Sequence, residues 1–161
     1  MLDGCQSHVR PLEARVVVQQ CSRAKVKTRD EVNGAEPQYA EVRAGLVVYV
    51  CFFEGATEDT FFHGCLSRGR RPVSVLELPG EILLLPQESL GWERGPNRSM
   101  RSRGVSEARR GSQLYSSLAS RCRETLLQSG ATGGAVEQGV YGQRQEVEMS
   151  SSEPMSHVLE F

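Results

Sequence analysis

The residues whose types and spacing invite chemistry fall in two places. Pro86-Gln87-Glu88-Ser89-Leu90 follows the strongly apolar run Glu81–Leu85, where a strand's backbone N–H groups lose their partners. Free amides at such an exit can hold the oxyanion that develops when an ester or amide is hydrolysed, and an ordinary strand-to-loop exit would look the same. The stretch from Glu93 to Arg110 carries Arg94, Arg98, Arg101, Arg103, Arg109 and Arg110 against only Glu93 and Glu107. It reads either as a cluster that neutralises phosphates or as a solvated loop. Elsewhere the usual constellations are missing. No P-loop, H-E-x-x-H, G-x-S-x-G or helix-opening G-x-G-x-x-G occurs, and His8, His63 and His157 are isolated. Cys5, Cys21, Cys51, Cys65 and Cys122 are spread with no C-x-x-C pair, which points to reduced thiols and to neither a zinc site nor a disulfide framework.

These groups need a scaffold, and the apolar pattern supplies one. Ala14–Gln20 is β-branched and reads as a buried strand, followed by alternating Ala24–Arg29, a loop with Asn33-Gly34 and Pro37, and Tyr39–Arg43. Gly45–Phe53 is the most apolar segment and reads as a central strand ended by Gly55. Thr57–Leu66 begins like a short helix with Thr57 as N-cap. Val73–Leu78 and Glu81–Leu85 flank Pro79-Gly80 and predict a hairpin, stopped by Pro86, which has no N–H for a ladder. Gly91–Gly104 has no period and reads as a loop. Ser106–Ser129 is the one long helix, with Leu114, Leu118, Cys122 and Leu126 on one stripe. Ala135–Tyr141, Gln145–Met149 and Met155–Phe161 read as closing strands. Strands outnumber helices without strict alternation. The expected class is therefore α+β, a mixed or mostly antiparallel sheet with one long and one short helix, as a polar leader at 1–13 and a single domain at 14–161.

Charge narrows the partners little, since 19 basic residues face 20 acidic ones. Only Lys25 and Lys27 are lysines; the other basic residues are arginines, whose planar fork suits phosphate. No apolar signal region opens the chain and the longest apolar run, Leu46 to Phe53, is too short to span a bilayer, so the expected location is cytoplasmic with no membrane partner.

Several segments in order, ARVVVQQC at 14–21, VRAGLVVYVCFFEGA at 42–56, VSVLELPGEILLLPQ at 73–87, Leu114–Tyr115, and GVYGQRQEVEMSSSEPMSHVLEF at 139–161, resemble the D-aminoacyl-tRNA deacylase family, specifically its animal-type branch. The resemblance implies a homodimeric α+β hydrolase that cleaves the ester joining a wrong amino acid to the terminal adenosine of tRNA, with no metal or cofactor and with help from the ribose 2′-OH. It further implies that the family's Pro-Gln-x-Thr motif lies at Pro86, Gln87, Glu88 and Ser89, with Gln87 and Ser89 at the scissile carbonyl. The family's Gly-Pro dipeptide, which reaches into the partner's site and sets stereochemical selection, corresponds to Glu153-Pro154, followed by Met155 and Ser156. Gln20 stands where the general family has a bracing arginine. Arg94, Arg98, Arg101 and Arg103 would then meet tRNA phosphates. Three departures stand out: Glu153 replaces a glycine, Glu88 adds a carboxylate beside an anionic RNA end, and the segment Phe61–Arg71 is shorter than its family counterpart. They leave open a second reading, a catalytically impaired relative that binds RNA or protein on the same scaffold.

Overall fold

The computed structural model describes residues 11–61, 80–128 and 135–161. Its centre is a mixed sheet of five strands in the order β10-β1-β4-β5-β8, built from β1 (Ala14–Cys21), β4 (Gly45–Phe52), β5 (Glu81–Pro86), β8 (Val136–Gln138) and β10 (Ser156–Glu160). β1 is antiparallel to β10 and to β4, whereas β4, β5 and β8 run parallel to one another. Parallel neighbours need a long crossover, and the connection from β5 to β8 carries the helix α1 (Ala108–Gln128).

Successive side chains of a strand point to opposite faces, so each central strand serves two cores. On one face Val16, Val18, Leu46, Val48, Val50, Phe52, Ile82 and Leu84 meet Leu114, Tyr115, Ala119, Cys122 and Leu126 of α1. On the other, Val47, Leu83 and Leu85 meet a three-stranded sheet of order β3-β2-β9, formed by β2 (Arg23–Arg29), β3 (Gln38–Val42) and β9 (Val147–Ser150). That double burial explains why β4 and β5 read as unbroken apolar runs. β1 passes into β2 through Ser22 alone, whose N–H donates to Ser150 O at 2.8 Å, so one continuous segment feeds both sheets.

The expected strands are observed with ends shifted by one to three residues, and the predicted stripe of α1 is buried, with Tyr115 and Ala119 added and Leu118 partly buried. At Asn33-Gly34 both φ angles are positive, 51° and 80°, and Ala35 N–H donates to Val32 O at 2.9 Å, the geometry of a type I′ turn. Thr57 accepts from Asp59 N–H at 3.2 Å and helical backbone starts at Thr60; the remainder of the expected short helix, 62–66, lies outside the described residues.

Two expectations change. Val73–Leu78, the first arm of the anticipated hairpin, lies outside the described residues, and β5 has both edges occupied by parallel neighbours β4 and β8. Gly91–Gly104 is no aperiodic loop: β6 (Trp92–Arg94) and β7 (Met100–Ser102) pair as an antiparallel ribbon, with Trp92 opposite Ser102 and Arg94 opposite Met100. Three-residue strands are too short to display a period. Among the described residues no helix is long and apolar enough to cross a membrane.

The most deeply buried polar contact between the helix and the sheet is made by Tyr115; Arg123 Nη2 also donates to Val136 O, at 3.3 Å. The buried Tyr115 hydroxyl lies 2.8 Å from Leu84 O and 2.9 Å from Gly139 O, sharing its proton between carbonyls of β5 and of the segment after β8, and burial raises its pKa. Tyr115→Phe should cost about 1–2 kcal/mol, seen as a lower urea midpoint at unchanged m-value, because Gly139 O is left short of a donor. An unchanged midpoint would mean that packing alone seats α1.

Candidate active site

The site begins where β5 ends. Pro86 pairs with Val50 in the parallel ladder, and the N–H of Gln87 still donates to Val50 O at 2.8 Å. The amides therefore lose their partners one residue later than the sequence reading places it. Gln87 is extended, with φ −142° and ψ 92°, and Glu88–Gly91 then winds into a single 3-10 turn. Leu90 N–H returns to Gln87 O at 3.3 Å and Trp92 N–H to Ser89 O. The N–H groups of Glu88 and Ser89, at the start of the turn, have no acceptor within it. Above them Gln87 Nε2 donates to Ser89 Oγ at 3.0 Å, so the two residues singled out as catalytic touch each other and leave the serine's own proton available.

Several neighbours hold the turn in place. Gly91 is pressed against the core; a Cβ there would stand 2.4 Å from Val105 Cγ2 and 3.2 Å from Cys51 Sγ. Cys51, beneath the turn, has its thiol 3.7 Å from Glu88 O, and burial, aided by Glu88, pushes its pKa up to about 11. It is a neutral thiol, unsuited to act as nucleophile or metal ligand. Arg15, on β1, donates through Nη1 to Leu90 O, binds Glu160 of β10 through Nε at 3.0 Å, and lies 5.5 Å from the Phe53 ring centroid. It ties the turn to the last strand. Tyr141 packs against Tyr115 at 5.7 Å between centroids, and Gly111 leaves room for its hydroxyl. Burial first, and then the Glu88 carboxylate, raise the Tyr141 pKa, so it stays a neutral donor beside the turn.

The second group of expected site residues lies elsewhere. Glu153-Pro154 is a trans bond in an exposed loop; Ser151 Oγ donates to Glu153 O at 2.6 Å, and Met155 N–H donates to the same carbonyl at 2.9 Å. Gln20 N–H donates to Met155 O at 3.0 Å, which seats the loop on β1, while Gln20 Oε1 is buried without a partner among the described residues. Ser156 pairs with Gln19 and starts β10. The ladders fix where this loop lies relative to the turn. Pro86 shares a row with Val50, Val16 and Leu159, whereas Ser156 shares one with Gln19, Val47 and Leu83. The loop before Ser156 and the turn after Pro86 thus sit at opposite ends of the sheet and three strands apart, on the order of 20 Å from one another. Pro86, Gln87, Glu88 and Ser89 are brought together, as are Gln20, Glu153, Pro154, Met155 and Ser156, but one chain does not unite the two sets.

Arg94, Arg98, Arg101 and Arg103 lie on or beside the ribbon that starts directly after the turn. Arg103 is paired with Glu93 at 3.0 Å, and the other three have no carboxylate partner among the described residues. Arg110 is instead engaged by a fork to Glu58, at 2.8 and 3.1 Å, which raises its pKa and removes it from the free cluster. His157 is exposed on β10, while His8 and His63 lie outside the described residues. Arg15 and Tyr141 escaped the sequence reading. A charge set in an apolar strand was a usable signal for Arg15; Tyr141, in Gly-Val-Tyr-Gly, offered none.

Comparison with known proteins identifies the family and the fold. The family described as D-Tyr-tRNA(Tyr) deacylase matches residues 17–160. Proteins named D-aminoacyl-tRNA deacylase 2 are similar along nearly their whole length: that of Gallus gallus is 35% identical, covering 94% of this chain and 98% of its own, and that of Homo sapiens is 35% identical, covering 92% and 95%. The Danio rerio protein is 33% identical over 93% of this chain and all of its own. Among solved structures, one described as a probable eukaryotic D-amino acid tRNA deacylase superposes with a TM-score of 0.69 at 21% identity, covering 92% of this chain and 99% of that one. The c-Myc DNA Unwinding Element Binding Protein superposes with a TM-score of 0.63 at 18% identity, covering 91% and 98%, and like the former it speaks to the fold alone. With the family matched over residues 17–160 and named relatives 33–35% identical over most of the sequence, this chain belongs to the D-Tyr-tRNA(Tyr) deacylase family.

Proposed function

We propose that the protein hydrolyses the ester of misacylated tRNA, D-aminoacyl-tRNA or L-alanyl-tRNA of the threonine type, as a proofreading step of translation in the cytoplasm. The observation that carries the reading is the pair of amides of Glu88 and Ser89, without an acceptor among the described residues, at the end of a strand buried on both faces. Water adds to the ester carbonyl carbon, the carbonyl oxygen becomes an oxyanion facing those two N–H groups, and collapse releases the free amino acid and the ribose hydroxyl. Ser89, whose oxygen accepts from Gln87, donates toward the same carbonyl. Preorganised donors of this kind contribute most when they need no reorganisation during the reaction. Pro86 and Glu88 border the amino-acid side, and Arg94, Arg98, Arg101 and Arg103 meet phosphates of the acceptor strand.

The working unit is proposed to be a homodimer in which Glu153, Pro154, Met155, Ser156 and Gln20 of one chain complete the site of the other. Separation of the two sets within a chain supports this, and so does the surface next to the loop. Leu85, Tyr49, Val17 and Val158 lie in one row on one face, and their cover thins from Leu85, 2% exposed, to Val158, 63% exposed on the edge strand β10. The three-stranded sheet covers only the inner end of that row. An apolar edge of this sort is a place for a second chain.

The carboxylates of Glu88 and Glu153 favour a second reading, an RNA-binding relative with little turnover, because both add negative charge where an RNA end would approach. Turnover decides between them: loss of ester from either substrate above the rate without enzyme supports hydrolysis, and tRNA affinity with no turnover supports the second reading.

Glu88→Pro, read against Glu88→Ala, isolates one oxyanion donor. It deletes one N–H that no backbone carbonyl uses, at a first-turn position where proline is tolerated, and should lower kcat roughly 10²–10³-fold with the fold intact. Unchanged kcat in a folded variant would remove that amide from the mechanism. In sedimentation, the native protein should run as a dimer and Val158→Lys as a monomer, with deacylation lost in parallel. A fully active monomer would dismiss the cross-chain site.

A further inference from the structure

The ribbon directly after the active turn carries a feature that the proposed chemistry leaves unused. Residues paired across two antiparallel strands share a face, so Trp92 and Arg94 lie on the same side as their partners Ser102 and Met100. Trp92 and Met100, diagonal neighbours on that face, are within reach of each other's side chains. Both are open to solvent, Trp92 at 46% and Met100 at 57% exposure, on a ribbon that is exposed on both faces. The opposite face holds Glu93 and Arg101, with Arg98 at the tip. A two-stranded ribbon has little stability of its own, and placing a tryptophan and a methionine on one side of it confers none while that side is bare.

Charge narrows the choice of occupant. Arg94 shares the aromatic face, Arg98 lies at the tip, Arg101 is on the opposite side, and Arg103, just past the ribbon, engages the carboxylate of Glu93. An aromatic ring with a neighbouring guanidinium and a basic rim is how proteins hold an unpaired nucleobase while the backbone phosphates are neutralised. Position narrows it further. Trp92 N–H donates to Ser89 O, and Arg103 N–H donates to Gly91 O at 3.0 Å, so the ribbon is fastened to the turn at both of its strands. Trp92 lies three residues after Ser89, within about 10 Å by chain geometry.

We infer that the Trp92–Met100 face is a stacking platform for an unpaired base of a single-stranded RNA 3′ end, with Arg94 beside it and Arg98, Arg101 and Arg103 on the flanking phosphates. This assignment deepens the proposed function, since it names the part of the substrate that the ribbon holds, and it rests on that reading only for the identity of the RNA. The platform fixes the end of the strand beside the turn, leaving hydrolysis to the amides.

Trp92 is the only tryptophan of the chain, so its emission reports on this face directly. A short single-stranded RNA ending in CCA and carrying no amino acid should quench that emission in a saturable way. The affinity, followed independently by anisotropy of a dye-labelled copy of the same RNA, should fall roughly 5- to 150-fold in Trp92→Ala and largely return in Trp92→Phe. Binding of the RNA with no change in Trp92 emission, no binding at all, or native affinity in folded Trp92→Ala would overturn the platform. So would an emission shift that follows protein concentration and ignores RNA, which would assign the face to a second copy of the chain. The two proposals fail separately: quenching without deacylation contradicts the hydrolytic reading and leaves the platform standing, whereas deacylation without quenching does the reverse.

Discussion

Strand β5 is hemmed in on every side, with β4 and β8 hydrogen-bonded to its edges, α1 on one face and the three-stranded sheet on the other. Leu83 and Leu84 are among the most deeply buried side chains, and truncating either to alanine would leave a cavity costing roughly 2–5 kcal/mol. A strand so constrained can present function only where it leaves the sheet. It does so just after Pro86, which cannot extend the ladder as a donor, and Glu88–Gly91 then turns. Arg15, Cys51, Gly91 and Tyr141 then fix that turn from four directions, by a carbonyl contact, a thiol beneath it, a close backbone approach and a neutral hydroxyl beside it. Rigidity at the donors is what oxyanion stabilisation asks for, because a mobile amide would spend much of its advantage on reorganisation.

The same sheet keeps its two functional ends apart. β10 runs parallel to β4 and β5, since each is antiparallel to β1 or parallel to a strand that is. The loop entering β10 is therefore at the end of the sheet where β5 starts, and the turn is where β5 finishes. No side-chain rearrangement closes such a gap. The proposed symmetric pairing of two chains would close it, with the loop of each presented to the turn of the other.

Much of this was legible in the residues. Double-faced burial makes β4 and β5 continuous apolar runs, and the i, i+4 stripe of α1 needs no tertiary knowledge to see. Pairing partners were not legible: Pro79-Gly80 suggests a hairpin, but the edges of β5 are filled by β4 and β8, a choice set by long-range packing. The ribbon at Trp92–Ser102 was hidden by strands too short for alternation and by a turn that uses Asn97 and Arg98 at positive φ, where glycine is the usual marker. At the site, Pro86 correctly marks the strand's end, yet the partner of Gln87 N–H depends on how far β4 continues beside it. Arg15 was visible as a charge within β1, but its role depends on Leu90 and Glu160, which are 75 and 145 residues away.

In the proposed dimer, one active site is assembled from the turn of one chain and the loop of its partner. Subunit complementation tests it most directly. Two variants, Glu88→Pro with an intact loop and Pro154→Asp with an intact turn, are each purified, shown to be inactive on misacylated tRNA, then unfolded and refolded together. Shared sites predict recovery to roughly a quarter of native activity, since half the dimers are mixed and each mixed dimer has one complete site. No recovery from a mixture shown to contain mixed dimers would contradict the account and return the chemistry to a single chain.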